Sequence, residues 1–123
     1  MNQTLNQQTI EVCRKKLLSM KMDLLNRFRS AHLEFKGTER TGDEIDLTVA
    51  QLEEHSFLVN QERVRNQILE IEMALGRIEQ GTFGICEETE EIIEEERLLA
   101  IPWTRLSIEG AEIREALNKR FAR

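Results

Sequence analysis

The sequence predicts a mostly α-helical protein: a long antiparallel coiled-coil hairpin, then a small globular region and a C-terminal helix. Apolar residues recur every seven positions along two long segments, which is typical of helices that pack on each other. The single proline, Pro102, follows both segments, so no proline interrupts either one. Aromatic residues make up 5% and charged residues 33% of the chain, a mix that is lean for a sheet-based core.

The first long helix is predicted from about residue 8 to about residue 35. Its heptad positions are Ile10, Leu17, Leu24 and Ala31, and a neighbouring row holds Leu18, Leu25 and His32. Asn6 and Thr9 are equal candidates for its N-cap, since both have side-chain oxygens that accept backbone N–H bonds. Residues 1–7 are expected to be a frayed N-terminus.

The second long helix is predicted from about Asp43 to about Gln80, after a turn over residues 36–42 that contains two glycines. Its heptad positions are Ala50, Phe57, Val64, Ile71 and Ile78; the adjacent row holds Leu47, Ile68 and Leu75 and is interrupted by Glu54 and Gln61. A helix of roughly 55 Å needs a partner for its apolar stripe. The first helix supplies a matching stripe, so residues 8–80 are expected to form a hairpin with its tip at 36–46.

The region after the hairpin has the outline of a small zinc ribbon. The run R-I-E-Q-G-T-F-G-I-C ends at Cys86, the run R-L-L-A-I-P ends at Pro102, and a last helix is predicted over 108–121 with Ser107 as its candidate N-cap. Zinc ribbons use two C-x-x-C pairs as ligands. Here Cys86 is the only retained ligand position, and the other three positions are held by Thr89, Ser107 and Gly110. Residues 81–123 are therefore predicted to be a degenerate zinc-finger-like domain with a C-terminal helix, without metal or cofactor.

This region resembles the TraR/DksA family of bacterial regulators that bind RNA polymerase. The family pattern is approximately A-L-x-R-I-E-x-G-T-Y-G-x-C-x-x-C, then R-L-x-A-x-P, then C-x-x-C. The matching residues are Ala74, Leu75, Arg77, Ile78, Glu79, Gly81, Thr82, Gly84, Cys86, Arg97, Leu98, Ala100 and Pro102, with Phe83 in place of the tyrosine. The resemblance implies that the last helix packs beside the base of the hairpin.

An acidic motif falls at the predicted tip, where Asp43, Asp46 and Thr48 read D-x-x-D-x-T. The family carries D-x-x-D-x-A there, with its second aspartate 40 positions before the first ribbon cysteine, and Asp46 precedes Cys86 by the same interval (86 − 46 = 40). The resemblance implies that the tip enters the secondary channel of RNA polymerase and brings a carboxylate near its active centre. A simpler reading is that both acids stabilise a helix N-terminus.

Some family members also bind the alarmone guanosine tetraphosphate through basic residues. The aligned positions here hold Glu70, Ile101 and Ala111, which argues against phosphate binding at that site. The acidic run that follows Cys86 is predicted to be a solvated face. Its members are Glu87, Glu88, Glu90, Glu91, Glu94, Glu95 and Glu96.

These features lead to one functional hypothesis and two alternatives. A net charge of −6 disfavours a large electrostatic footprint on DNA, so we expect RNA polymerase as the partner, without sequence-specific DNA contacts. The alternatives are a channel binder of the transcript-cleavage-factor type and a coiled-coil adaptor or homodimer. No motif predicts an enzyme. The polar N-terminus and the widely separated Cys13 and Cys86 favour a cytoplasmic protein with no membrane partner. A hairpin that satisfies its own seam is expected to be a monomer.

Overall fold

The structure, a computed structural model, describes residues 5–38 and 47–121, with no side-chain description for residues 37 and 38. Its helices are α1 (Gln7–Thr38), α2 (Leu47–Gln80), α3 (Glu95–Ala100) and α4 (Ile108–Phe121). Within the described ranges there is no β-strand, and an isolated antiparallel bridge joins Ile85 to Ile92. The predicted mostly α-helical fold is confirmed. None of the described helices is long and apolar enough to cross a membrane.

The helices α1 and α2 pack against each other as an antiparallel pair. Lys21, near the middle of α1, lies 4.0 Å from Glu72, and Phe35, further along α1, stacks on the earlier α2 residue Phe57. The buried apolar residues of this seam are Leu17, Ile68, Ile71 and Ala74, and the half-buried ones include Leu24, Val64, Leu75 and Ile78. All lie on the heptad stripes predicted from the sequence or beside them.

The start of α1 is held by a helix cap and by an apolar contact. Asn6 caps the helix, because its Oδ1 accepts a hydrogen bond of 2.8 Å from the N–H of Gln8. Leu5 is half-buried and packs against the core, over the backbone of Gly84. The frayed N-terminus over residues 1–7 stays a prediction, since residues 1–4 lie outside the described part of the chain. Thr9, the other candidate cap, lies inside the helix.

The other end of α1 also departs from the sequence prediction. The helix continues to Thr38, whereas the turn was expected to begin at residue 36. The Phe35–Phe57 stack holds the last turn of α1 against α2, and this contact offsets the low helix propensity of Gly37. The predicted start of the second helix at Asp43 lies outside the described residues.

The second helix ends in a glycine turn. Gly81 adopts a φ of 79°, its N–H bonds to the Ile78 carbonyl at 3.3 Å, and the N–H of Thr82 bonds to the Arg77 carbonyl at 2.9 Å. This pair of bonds is a Schellman motif, which satisfies carbonyls that the helix end would leave free. The turn sends the chain back towards α1.

The short helix α3, which sequence reasoning did not predict, docks on the start of α1. Thr9 Oγ1 donates a hydrogen bond of 2.8 Å to the Glu95 carboxylate, and Lys16 Nζ donates one of 2.8 Å to the Leu99 carbonyl. The thiol of Cys13 donates a hydrogen bond of 3.5 Å to the Leu98 carbonyl. Side chains of α1 thus satisfy carbonyls at the C-terminal end of α3.

The hairpin base and the small region share one apolar core. Its buried members are Cys13, Leu17, Ile71, Ala74, Phe83, Cys86, Ile93 and Leu98, and its half-buried members include Leu99, Trp103 and Leu106. The core therefore joins residues from both hairpin helices to residues from the degenerate ribbon. Because both parts contribute, the position of the ribbon-like region on the hairpin is fixed by apolar packing.

The family resemblance implied that the last helix packs beside the base of the hairpin. It has the predicted bounds, but it makes no extensive contact with α1 or α2. Its first two turns are anchored on the segment around Cys86, so its direction is set there. Its outer part exposes Ile113, Leu117 and Phe121.

Candidate functional site

The acidic tip is only partly described. Asp43 and Asp46 lie outside the described residues, within the segment 39–46 that joins α1 to α2. Thr48 lies in the first turn of α2, where its side chain is exposed. The tip assignment of the three residues therefore stays a prediction.

The part of the hairpin nearest the tip is held by a few specific contacts. The rings of Phe35 and Phe57 stack with centroids 4.2 Å apart and planes 10° apart, and His32 lies beside them at 6.3 Å from Phe57. One step closer to the base, Gln61 Nε2 donates a hydrogen bond of 3.1 Å to the Phe28 carbonyl. Neither His32 nor His55 is buried.

The three residues that replace zinc ligands surround Cys86, and we call this cluster the Cys86 pocket. Ser107 Oγ donates a hydrogen bond of 3.4 Å to Cys86 Sγ and accepts one of 3.0 Å from the N–H of Gly110. Ser107 is thereby the N-cap of α4, as predicted. A Cβ built on Gly110 would overlap Cys86 Sγ, so only glycine fits at this position without a shift. Thr89 is the third of these residues: its hydroxyl accepts a hydrogen bond of 3.3 Å from the N–H of Glu91, and it helps to lower the pKa of Cys86.

The surroundings of Cys86 favour its thiolate form. Burial raises the pKa of the Cys86 thiol, but side-chain and backbone hydrogen bonds from Ser107 and Thr89 outweigh that effect and lower the pKa to about 6. Cys13, the other free thiol, lacks such donors, and burial raises its pKa. Cys86 is fully buried and lies beneath the start of α4. Its thiolate is therefore a structural group of the pocket and not an accessible nucleophile.

The pocket does not fit a zinc ion. A structural zinc site needs four ligands, usually thiolates or imidazoles, and this pocket has one thiolate among two hydroxyls and a glycine. In the described ranges no three His, Cys, Asp or Glu side chains are grouped so that they could hold a metal ion. The hydroxyl of Ser107, at one of the ligand positions, is bonded to the sulfur and to the N–H of Gly110.

An ionic network ties the hairpin base to the small region and to α4. Arg105 makes two bonds of 3.1 Å to the carboxylate of Glu70 on α2 and a contact of 3.4 Å to Glu87. Arg114 on α4 reaches Glu87 at 3.7 Å and Glu88 at 2.8 Å. Glu70 is one of the positions where some family members have a basic residue, and here it is engaged by an arginine.

Sequence reasoning missed this organisation of the acidic run. Besides Glu87 and Glu88, Glu94 accepts a hydrogen bond of 3.2 Å from the N–H of Ile108, and Glu95 accepts the bond from Thr9. The run is exposed to solvent as predicted, apart from the half-buried Glu88, and the structure adds that these four glutamates make specific contacts. The two arginines that follow the acidic run, Arg105 and Arg114, were the sequence signal that could have predicted the ion pairs with Glu87 and Glu88.

Comparison with known proteins agrees with this architecture. The family model of the prokaryotic dksA/traR C4-type zinc finger matches residues 81–116. The RNA polymerase-binding transcription factor DksA of Caulobacter vibrioides is 35% identical over 113 residues, which cover 90% of this chain and 79% of that protein. The solved structure of transcription factor DksA2 from Pseudomonas aeruginosa matches with a TM-score of 0.85 and 31% identity, over 93% of this chain and 88% of that one.

A more distant structure supports the fold alone. The RNA polymerase-binding protein and transcriptional regulator Dks from Chlamydia trachomatis matches with a TM-score of 0.55 and 21% identity, over 91% of this chain and 93% of that one.

Fold and site together define a helical-hairpin protein whose small ribbon-like region is closed by packing and hydrogen bonds around one cysteine. The chain belongs to the DksA/TraR family. It departs from the C4 description of the matched family model at three of the four cysteines.

Proposed function

We propose that this protein is a transcription regulator that binds RNA polymerase and inserts its acidic hairpin tip into the secondary channel. Membership of the DksA/TraR family carries the proposal, because the Caulobacter relative is named for binding RNA polymerase. The D-x-x-D-x-T motif supports the tip assignment, since Asp46 stands in the family register to Cys86.

The shape of the hairpin supports entry into a narrow channel. The 34 residues of α2 correspond to about 51 Å of helix. One partner helix covers its seam, and the shared core lies at the opposite end from the tip segment. A hairpin of two helices stays narrow along its length and places its connecting segment far from the rest of the protein.

The proposed active groups are the carboxylates of Asp43 and Asp46, with Thr48 beside them. Carboxylate oxygens are hard ligands and act strongly on a site that contains Mg²⁺. A single charge has a large effect there, because electrostatic interactions are strong where water is excluded. The regulator would act on the polymerase's own active centre and would not itself be an enzyme.

The protein is proposed to act as a cytoplasmic monomer without DNA base contacts. The seam residues near the hairpin base, such as Leu17, Ile68 and Ile71, are covered by its own helices, which leaves less apolar seam for an adaptor to present to a second chain. The net charge of −6 disfavours DNA as the primary partner.

Competition for the polymerase tests the proposal directly. Purified protein should bind core RNA polymerase of its source organism, and a transcript-cleavage factor that occupies the secondary channel should displace it. Light scattering on the free protein should give the mass of one chain. Absence of binding, or simultaneous binding of both factors, would contradict the channel assignment. A stable dimer would favour the adaptor alternative.

A further inference from the structure

The helix α4 is attached to the small region without adding an apolar side chain to the core. Gly110 is the one buried residue among the described positions of α4, and it has no side chain. Ile113, Leu117 and Phe121 are exposed, and none of the three belongs to the apolar core that joins the hairpin base to the small region. Burial of apolar surface, the main source of stability in a folded domain, therefore does little to hold α4 in place.

Polar contacts from the first two turns hold α4 instead. Arg114 makes bonds of 2.8 and 3.2 Å to the carboxylate of Glu88, and it reaches Glu87 at 3.7 Å. The N–H of Ile108 donates a bond of 3.2 Å to the carboxylate of Glu94. We call the contacts of Arg114 with Glu87 and Glu88 the α4 latch.

The second half of α4 interacts mainly with itself. Lys119 lies 3.6 Å from Glu115, and the guanidinium of Arg120 lies 6.0 Å from the centre of the Phe121 ring. Both contacts join residues of the same helix. The latch therefore lies near the attached end of α4, and the remainder of the helix extends from it.

The α4 latch is weak compared with the packing of the hairpin. The side chains of Arg114 and Glu88 are 40% and 23% exposed, so water and salt screen their attraction. An isolated helix of 14 residues is itself marginal in water. The hairpin base, in contrast, buries Leu17 and Ile71 almost completely. Segments with few buried apolar contacts open locally at a free energy well below that of global unfolding.

Opening of α4 would uncover one of the two buried thiols. The sulfur of Cys86 lies against Gly110, where an added Cβ would overlap it, and it accepts the hydrogen bond from Ser107 at the start of the helix. Cys13 is covered by other elements, because it lies on α1 and its thiol bonds to the Leu98 carbonyl of α3. A movement of α4 therefore exposes Cys86 and leaves Cys13 buried.

We propose that α4 is a latched arm, which the ion pairs of Arg114 with Glu87 and Glu88 keep closed over Cys86 and which opens while the hairpin stays folded. The small region then has a second state, in which its surface around Cys86 is uncovered and the apolar stripe of α4 is free to move. This inference concerns the free protein and does not depend on the proposed binding to RNA polymerase.

Thiol labelling of the native protein measures the opening. The protein is treated with N-ethylmaleimide at constant pH, and peptide mass spectrometry gives separate rates for Cys86 and Cys13. Each rate is compared with the rate at the same cysteine in the denatured chain, and their ratio is the protection of that thiol. The protection of Cys86 should be smaller than that of Cys13 by at least about tenfold. Equal protection would mean that α4 opens only when the whole chain unfolds, and it would overturn the proposal.

Hydrogen exchange identifies the segment that moves. The backbone amides of α4 should exchange with deuterium at least about tenfold faster than the amides around Ile71 on α2. Fast labelling of Cys86 with slow exchange throughout α4 would mean that another element uncovers the thiol, which would also overturn the proposal.

A variant of the latch tests the role of the ion pairs. Arg114→Met removes the charge and keeps an aliphatic side chain, so the protection of Cys86 should fall by about threefold or more, while that of Cys13 stays unchanged. High salt should lower the protection of Cys86 in the wild type and have little effect in Arg114→Met. Arg120→Met, the same substitution at an exposed position of the same helix, is the matched control and should behave like the wild type. Unchanged protection in Arg114→Met, or an equal loss in Arg120→Met, would overturn the latch.

Discussion

Ser107 Oγ lies 3.4 Å from Cys86 Sγ and donates a hydrogen bond to it. Both residues occupy positions that belong to zinc ligands in the C4 pattern of the family. The same hydroxyl caps α4 by accepting the N–H of Gly110. One side chain therefore connects the first ribbon turn to the last helix, which is a connection that a metal would make in a zinc ribbon.

Removing this hydroxyl should loosen α4. Ser107→Ala is expected to destabilise the protein by about 1–2 kcal/mol, since it deletes a helix cap and a buried hydrogen bond together. Chemical denaturation measures the change. Ser19→Ala, at an exposed position of α1, is the control and should change stability by less than about 0.5 kcal/mol. Equal effects of both substitutions would show that Ser107 does not hold the pocket.

Gly110 offers a steric test of the same pocket. Gly110→Ala should destabilise by roughly 1–3 kcal/mol, because its Cβ would overlap Cys86 Sγ. Combining it with Cys86→Ala should remove the overlap, so the cost of the double variant is less than the sum of the single costs. Gly76→Ala is the matched control in α2: nothing lies within 4 Å of its added Cβ, and it should stabilise by about 0.5–1 kcal/mol. Additive costs at positions 86 and 110 would contradict the close approach.

The lowered pKa of Cys86 predicts a pH-dependent contribution to stability. The folded-state pKa of about 6 lies below the ordinary value of 9.0, so the stabilisation is fully present above pH 9 and is lost as the pH falls towards 6. Unfolding free energies of wild type and Cys86→Ser, measured between pH 6 and 9, should diverge as the pH rises. The slope of the difference should approach about 1.4 kcal/mol per pH unit. A difference that does not vary with pH would mean that Cys86 stays a thiol when folded.

The composition of the pocket predicts independence from zinc. Purified protein should contain no stoichiometric zinc, and its thermal midpoint should be the same with and without a chelator. The free energy that a structural metal supplies to a ribbon is replaced here by buried apolar residues such as Phe83, Ile93 and Leu98. One zinc per chain in elemental analysis would overturn this prediction.

The hairpin was predictable from the sequence because helix pairing follows local periodicity. The stripes through Leu17 and Ile71 identified the seam, and Ser107 was recognised as a cap from its position before an apolar periodic run. The interruption at Gln61 was visible, but its partner was not, since a bond to a backbone carbonyl leaves no trace in the sequence of the acceptor helix.

The small region was less predictable because its order depends on contacts between distant positions. The helix α3 has six residues, which is too short for a periodic signal, and Thr9, Lys16 and Cys13 of α1 contact it. The pairing of Glu70 with Arg105 joins residues that are 35 positions apart. The direction of α4 likewise follows from its anchor at Cys86 and not from its own sequence pattern.

The central claim is that a tip carboxylate acts on the polymerase active centre, and Asp46→Asn tests it most directly. The variant removes one charge and preserves size, so polymerase binding through the rest of the surface should stay within a few-fold. Asp43→Asn should affect transcription less and should cost some helix stability if Asp43 caps α2. Asp23→Asn, an exposed aspartate on α1, is the matched control and should behave like wild type.

The deciding measurement is therefore transcription by the purified polymerase at saturating concentrations of wild type and of Asp46→Asn, with binding measured in the same samples. The account predicts that Asp46→Asn occupies the polymerase and no longer alters transcription. Regulation equal to that of wild type at equal occupancy would contradict it.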